Sequence, residues 1–159
     1  MVFLSWNARG LCKAEKRRGL KALIKVNKAK MVLVQETKKA SLSRFFAQSI
    51  WVGSEFEFAG VDAIDSAGGL LCVWERNFFK LQNVKCSRHF ILLSGKILPD
   101  FDCVIVNIYA PNKVLKRKKL WDSLLKIRRE FDYPWCLGGD LNEIRSMGKG
   151  KGDLGGIRE

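Results

Sequence analysis

Apolar residues along this chain gather in short runs of strand length, interrupted by two stretches in which they recur every three to four residues. Residues 2–6 predict a strand, which Asn7-Ala8-Arg9-Gly10 breaks with turn chemistry. Across Ala14–Asn27, Leu20, Leu23, Ile24 and Asn27 fall at i, i+3, i+4 and i+7 with Lys and Arg on the remaining face, the signature of an amphipathic helix. Met31-Val32-Leu33-Val34-Gln35 is a compact apolar run and predicts a buried strand. Strand, helix, strand is the start of an α/β architecture.

Ser41–Ile50 predicts a short helix capped by Ser41 or Ser43, and Trp51–Ile64 has no clear period. Gly68–Trp74 reads as a buried strand entered through a glycine pair. Phe78–Val84 and Phe90–Ile97 predict two more, antiparallel because no helical period separates them. Cys103–Tyr109 is a further apolar strand, stopped at Ala110-Pro111-Asn112 because proline cannot donate to a ladder. Between Asn112 and Phe131, Leu120, Leu124, Ile127 and Phe131, flanked by Trp121 and Leu125, predict a second amphipathic helix. Pro134–Asp140 is then a short strand running into a glycine turn. Glycines and charges replace hydrophobics after Ser146, so the expected organisation is one partial domain over 1–145 and a Gly-rich mobile tail over 146–159. No internal repeat is visible.

With 159 residues and 47% hydrophobic content, the chain is the size of one domain and can bury a core. No apolar run approaches the ~20 residues of a membrane-spanning helix, and the N-terminus lacks the charge and apolar length of a secretory signal. An intracellular protein, nuclear or cytoplasmic and not secreted, is the expectation. Cys12, Cys72, Cys86, Cys103 and Cys136 are odd in number and form no C-x-x-C pair, which argues against a disulfide framework or a zinc cluster and for buried reduced thiols.

Charge adds a partner class. Twenty-nine Lys+Arg against 16 Asp+Glu leave a formal net charge of +13. The segments Lys13–Lys30 and Lys113–Arg129 each carry eight of these cations and one acid. Nucleic acid is the commonest polyanion for such patches, bound by counterion release, and Arg9, Lys13, Arg17, Arg18, Lys38, Lys116 and Arg117 are the candidate contacts. Solvated helix faces are the plainer alternative. Lys116–Lys119 also fits a nuclear localisation signal, and Trp51, Phe56 and Phe58 are candidates either for stacking on bases or, more simply, for the core.

Three polar groups emerge at the carboxyl ends of predicted strands: Asn7, Glu36, and Asp140 with Asn142. Strand ends at one edge of an α/β sheet gather ligands, so these residues are candidates to converge. Their oxygens are hard donors suited to Mg²⁺ or Mn²⁺, and Mg²⁺ takes only one or two carboxylates plus substrate phosphates. Capping, surface and turn roles remain the alternatives for each residue alone.

Five motifs in order resemble the endonuclease/exonuclease/phosphatase superfamily: Leu4–Leu11, Val32–Lys38, Ser66–Leu70, Asn107–Asn112 and Trp135–Asn142. More narrowly they look like the apurinic-endonuclease-like domain of plant LINE-type non-LTR retrotransposons. The resemblance implies a four-layered α/β sandwich, two packed sheets flanked by helices, and metal-dependent phosphodiester cleavage. It makes Glu36 the principal metal ligand with Asn7 beside it, Asp140 the residue that orients and activates water, Asn142 a holder of the scissile phosphate, and Tyr109 a contact to phosphate or leaving oxygen. It also implies a reverse transcriptase partner in the parent element.

The family pattern continues with a further Asp and a Ser-Asp-His segment, and neither occurs here. The only histidine, His89, reads as an ordinary strand-start residue. The expectation is therefore a C-terminally truncated N-terminal part of the sandwich, weak or inactive as a nuclease, with an open apolar sheet face. Its alternatives are a non-catalytic basic nucleic-acid binder and a phosphatase of the same superfamily.

Overall fold

The computed structural model describes residues 1–142; the Gly-rich tail expected over 146–159 lies outside them. Eight strands and three helices follow one another as β1 (Phe3–Asn7), α1 (Ala14–Asn27), β2 (Met31–Gln35), α2 (Arg44–Gln48), β3 (Phe56–Val61), β4 (Leu70–Glu75), β5 (Phe79–Cys86), β6 (Phe90–Ile97), β7 (Phe101–Tyr109), α3 (Val114–Arg128) and β8 (Trp135–Asp140). They form two four-stranded sheets, ordered β1-β2-β4-β3 and β5-β6-β7-β8. In each sheet one pair joined through a helix is parallel, β1 with β2 and β7 with β8, and the remaining pairs are antiparallel.

The layering follows from side-chain alternation along the central strands. On β2, Met31 and Leu33 point into the space between the sheets, whereas Val32 and Val34 point outward under α1 and α2 with Leu20, Ile24 and Phe46. On β7, Cys103 and Ile105 face the inter-sheet core, while Val104, Val106 and Ile108 meet Leu120 and Leu124 of α3. Strands apolar on both faces are the mark of sheets covered on both sides. Each fully buried Leu, Ile or Val contributes roughly 1.5–3 kcal/mol, so the three apolar layers dominate what holds the sandwich together. The result is the four-layered α/β sandwich expected from the motifs.

Several boundaries differ from the sequence reading. The unassigned stretch 51–64 contains β3, which pairs with β4. Trp51 and Phe56 are buried and Phe58 packs against the same core, so base stacking is not their role. Helix α3 begins only at Val114, because Lys113 is still extended at ψ 128°. Leu23 and Leu125, included in the apolar stripes, are exposed; α1 buries Leu20 and Ile24, and α3 buries Leu120 and Leu124 with Trp121, Ile127 and Phe131 packed against the same core. Only Cys72 and Cys103 are buried thiols; Cys12, Cys86 and Cys136 are exposed.

The central strands of both sheets are covered on both faces, and what is exposed lies on the flanking strands, where β5 is exposed along most of its length and β8 leaves Cys136 and Leu137 open. The β3/β5 edge carries Glu57, Lys80, Lys85 and a register shift between Leu81 and Asn83. Lysines and bulges of this kind deter pairing with another chain. Along the β1/β8 edge the only charged residue is Asp140, at its end, and Leu137 stands 55% exposed. Among the described residues, no helix is long and apolar enough to cross a membrane.

Candidate functional site

Parallel strands β1 and β2 in one sheet, and β7 and β8 in the other, end at the same side of the sandwich, and the candidate residues sit on those ends. The segment after β2 is clamped from both sides. On one side the loop after β1 donates Ala8 N to Gln35 O (2.9 Å), Gly10 N to Glu36 O (2.7 Å) and Leu11 N to Thr37 O (2.9 Å). On the other side Thr37 N and Lys38 N donate to Gly69 O and Gly68 O. This clamp holds Glu36 and Lys38 in the left-handed region, both at φ 53°, and Arg9 and Asn142 are left-handed as well, both at φ 48°. Such conformations cost of order 1–3 kcal/mol each and concentrate at functional sites. Gly69 is required because a Cβ there would lie 2.1 Å from Thr37 Oγ1.

In the second sheet, Ala110 N donates to Asp140 O at 2.9 Å, and Asn142 bends back so that its backbone N–H reaches Asp140 Oδ1 (3.0 Å) and its amide reaches Ala110 O (2.6 Å). Tyr109 is pinned from β6: its N–H donates to His89 O at 2.9 Å, and His89 Nδ1 lies 3.1 Å from Tyr109 O. His89 thus stands at the strand start, as expected, and also buttresses the site backbone.

Asn7 joins the two sheets. Its Nδ2 donates to Glu36 Oε1 at 3.0 Å and to Asp140 Oδ2 at 2.9 Å, while its Oδ1 accepts from Arg9 N at 3.1 Å. Residues separated by 133 positions are thereby held around one nitrogen. Burial first, then the Glu36 and Asp140 carboxylates beside it, push the Tyr109 phenol up to about 12, so it remains a proton-bearing donor at neutral pH. Two carboxylates, two amides and a phenol form this cluster, and no group of three or more His, Cys, Asp or Glu occurs among the described residues. A hard oxygen-donor set with few carboxylates fits Mg²⁺ or Mn²⁺ and not zinc.

The seven candidate phosphate contacts separate into two kinds. Arg9, Lys13, Arg18, Lys38 and Lys116 are exposed and have no carboxylate partner among the described residues. Arg17 and Arg117 are half-buried and committed to the backbone. Arg17 donates to Leu11 O at 2.8 Å and to Cys12 O while lying over the Phe46 ring. Arg117 donates to Pro111 O at 3.3 Å and to Asn112 O. Although no repeat is visible in the sequence, Lys13, Arg17, Leu20 and Ile24 occupy the same helix positions as Lys113, Arg117, Leu120 and Leu124. Each arginine, four residues after the helix cap, ties down the loop that leaves a site strand.

A family model described as the endonuclease/exonuclease/phosphatase family matches residues 4–155. The chain belongs to that family. Members typically depend on a divalent metal ion. The fold is similar to that of the AP endonuclease LMAP from Leishmania major (TM-score 0.66, 15% identity), covering 87% of this chain and 54% of that one. It is also similar to the endonuclease domain of TRAS1, a telomere-specific non-LTR retrotransposon (TM-score 0.67, 13% identity, 90% of this chain and 61% of that one). ANGEL2, a 2′,3′-cyclic phosphatase, is a further neighbour (TM-score 0.59, 12% identity, 81% and 44%). The chain therefore spans about half of the length of these solved relatives. No curated protein matches it in sequence.

Residues that the sequence reading passed over include Thr37, Gln35 and Asn107, all buried beneath the site. Their signal was available: each is a polar residue inside or directly after an otherwise apolar strand.

Proposed function

We propose that this chain is part of a Mg²⁺- or Mn²⁺-dependent phosphodiesterase that nicks DNA by hydrolysis, of the kind found in non-LTR retrotransposons. The observation that carries the reading is the Asn7 amide holding Glu36 and Asp140 together at the shared end of two parallel strand pairs. Glu36, with Asn7 beside it, would hold the metal, which when bound neutralises charge developing on the scissile phosphate. Asp140 orients the attacking water and takes its proton. Asn142, with one amide hydrogen on Ala110 O, has a second to donate to a non-bridging oxygen. Tyr109, protonated at neutral pH, donates to the phosphate or the leaving oxygen.

Around this centre Arg9, Lys13, Arg18, Lys38 and Lys116 grip the DNA backbone without reading bases. Arg17 and Arg117 act through the loops they fasten. Intracellular residence and a reverse transcriptase partner belong to the same reading. The single imidazole, His89, meets the cluster only at the Tyr109 backbone carbonyl, and lack of a general acid or base lowers rates by about 10²- to 10⁴-fold, so weak or no nicking by the chain itself belongs to this reading.

Supercoiled plasmid incubated with the purified chain in Mg²⁺, Mn²⁺ and EDTA, with Glu36→Ala alongside, tests this. Slow nicking that needs both the metal and Glu36, over salt-sensitive binding, is expected. Nicking indifferent to Glu36→Ala refutes the assignment of the site, and rapid turnover refutes the weak activity. Salt-sensitive binding that ignores EDTA, with no nicking at all, favours a non-catalytic binder.

A further inference from the structure

Beneath the site, at the interface of the two sheets, lies a buried pair of amides that the proposed chemistry does not use. Gln35, the last residue of β2, is 1% exposed and Asn107 of β7 is 0% exposed. Gln35 Nε2 donates to Asn107 Oδ1 at 2.7 Å and lies within 3.2 Å of Ser5 Oγ and 3.1 Å of Leu33 O. Asn107 Nδ2 returns the contact, donating to Val34 O at 3.1 Å and Leu71 O at 3.2 Å in the first sheet. The surrounding inter-sheet layer is apolar, built from Met31, Leu33, Leu70, Ile91 and Ile105. Hydrophobic attraction is non-directional, whereas hydrogen bonds in a dry interior favour one alignment of the sheets.

The pair's place in the chain gives that alignment a purpose. Gln35 immediately precedes Glu36, and Asn107 precedes Tyr109 by two residues. Asn107 also lies opposite Gly138 of β8, two residues before Asp140. One amide therefore roots the arm that carries Glu36, and the other roots the arm that carries Tyr109 and Asp140.

We propose that Gln35 and Asn107 are positioning residues: their cross-sheet hydrogen bonds set the register of one sheet over the other, and so hold Glu36 against Asp140 and Tyr109 within reach of the Asn7 amide. The inference rests on the reading of those four residues as the reactive centre, but its test does not depend on turnover. A buried amide that loses its partner pays its full desolvation penalty, whereas removing both partners together is nearly neutral. The double variant Gln35→Met/Asn107→Leu should therefore fold better than either single variant.

The readout is the Asn7 side-chain amide in a ¹H–¹⁵N spectrum of the whole chain, assigned by its loss in Asn7→Asp. In the parent its protons are bonded to two carboxylates and are shifted from a free amide. In the folded double variant they move to free-amide positions, and where the parent nicks plasmid, nicking falls by about 10- to 100-fold, the scale expected when supporting groups of a reactive centre are lost. Leu124→Ala, which removes packing under α3, lowers stability and leaves the Asn7 resonances in place. The gentler Asn107→Thr keeps an acceptor for Gln35 and moves the resonances part-way, which covers the case of a double variant that does not fold. Unchanged Asn7 resonances in whichever of these variants folds, or equal displacement in Leu124→Ala, overturn the proposal. Absence of nicking in the parent bears only on the proposed function.

Discussion

Gly139→Ala isolates the backbone that delivers Asp140. Gly139 has φ 131°, and a Cβ built on it would lie 1.9 Å from Ile108 O and 2.8 Å from both the carbonyl carbon and the nitrogen of Ile108. Those atoms are backbone in a central strand and cannot swing aside. Bringing the nearest contact to an ordinary ~3 Å requires β8 to withdraw by about 1 Å, beyond what the hydrogen bond from Ala110 N to Asp140 O, 2.9 Å long, tolerates. Losing that bond and one ladder bond beside it removes about 1–3 kcal/mol, and alanine in this region of φ adds roughly 1–3 kcal/mol. The sum is about 2–6 kcal/mol, felt first where β8 meets β7. Because β8 is paired on one side only among the described residues, it is expected to open locally before the domain unfolds. Hydrogen exchange of β8 amides should accelerate by at least 30-fold, equivalent to about 2 kcal/mol, while β2 and β4 stay protected. Asn7 keeps Glu36 as an acceptor and loses Asp140. β8 protection within a factor of five of the parent refutes the reasoning.

Three further outcomes follow from the site and its surroundings. The Tyr109 phenol, raised from 10.0 to about 12, holds its proton more tightly folded than unfolded. Its contribution to stability is complete below pH 10 and is lost as pH rises toward 12. Glu36→Gln should bring its phenolate absorbance midpoint part of the way back toward 10, the larger cause, burial, being untouched, and an unmoved midpoint counts against the Glu36–Tyr109 contact. Lys116→Ala should weaken plasmid binding and flatten its salt dependence without altering stability, whereas Arg117→Ala should lower stability by about 0.5–1.5 kcal/mol through its lost bonds to the Pro111 and Asn112 carbonyls; thermal melts and binding isotherms that give the two variants the same profile contradict the division. Ellman's reagent should titrate Cys12, Cys86 and Cys136 rapidly and reach Cys72 and Cys103 only on unfolding, a result overturned by five fast thiols.

What could be read from the sequence follows from which interactions are local. Val32–Val34 and Val104–Val106 announce themselves as strands because both of their faces are buried. β3 does not, because in Phe56-Glu57-Phe58-Ala59-Gly60-Val61 a charge interrupts one face and a glycine the other, which leaves an edge strand with no clean alternation. Asn7, Glu36 and Asp140 were legible as polar residues at strand ends, and the structure brings all three together. Arg17 and Arg117 were not separable from their neighbours, since a cation that binds carbonyls five or six residues earlier looks the same in sequence as one that faces solvent. Gln35 and Asn107 stood out as polar residues in apolar strands, but their pairing was hidden for a related reason: they lie 72 positions apart and in different sheets.

The two edges of the sandwich differ, and that difference bears on how copies of the chain meet. Growth of a strand-paired fibre needs a sticky edge at each end of every subunit, so that each addition exposes a fresh acceptor. Among the described residues, the β1/β8 side lacks the lysines and the bulge that guard β3/β5. Two copies meeting through β1 and β8 cover each other's adhesive side and present guarded ones outward. Pairing of copies through these margins would thus be self-limiting, closing at a symmetric pair instead of propagating into a filament.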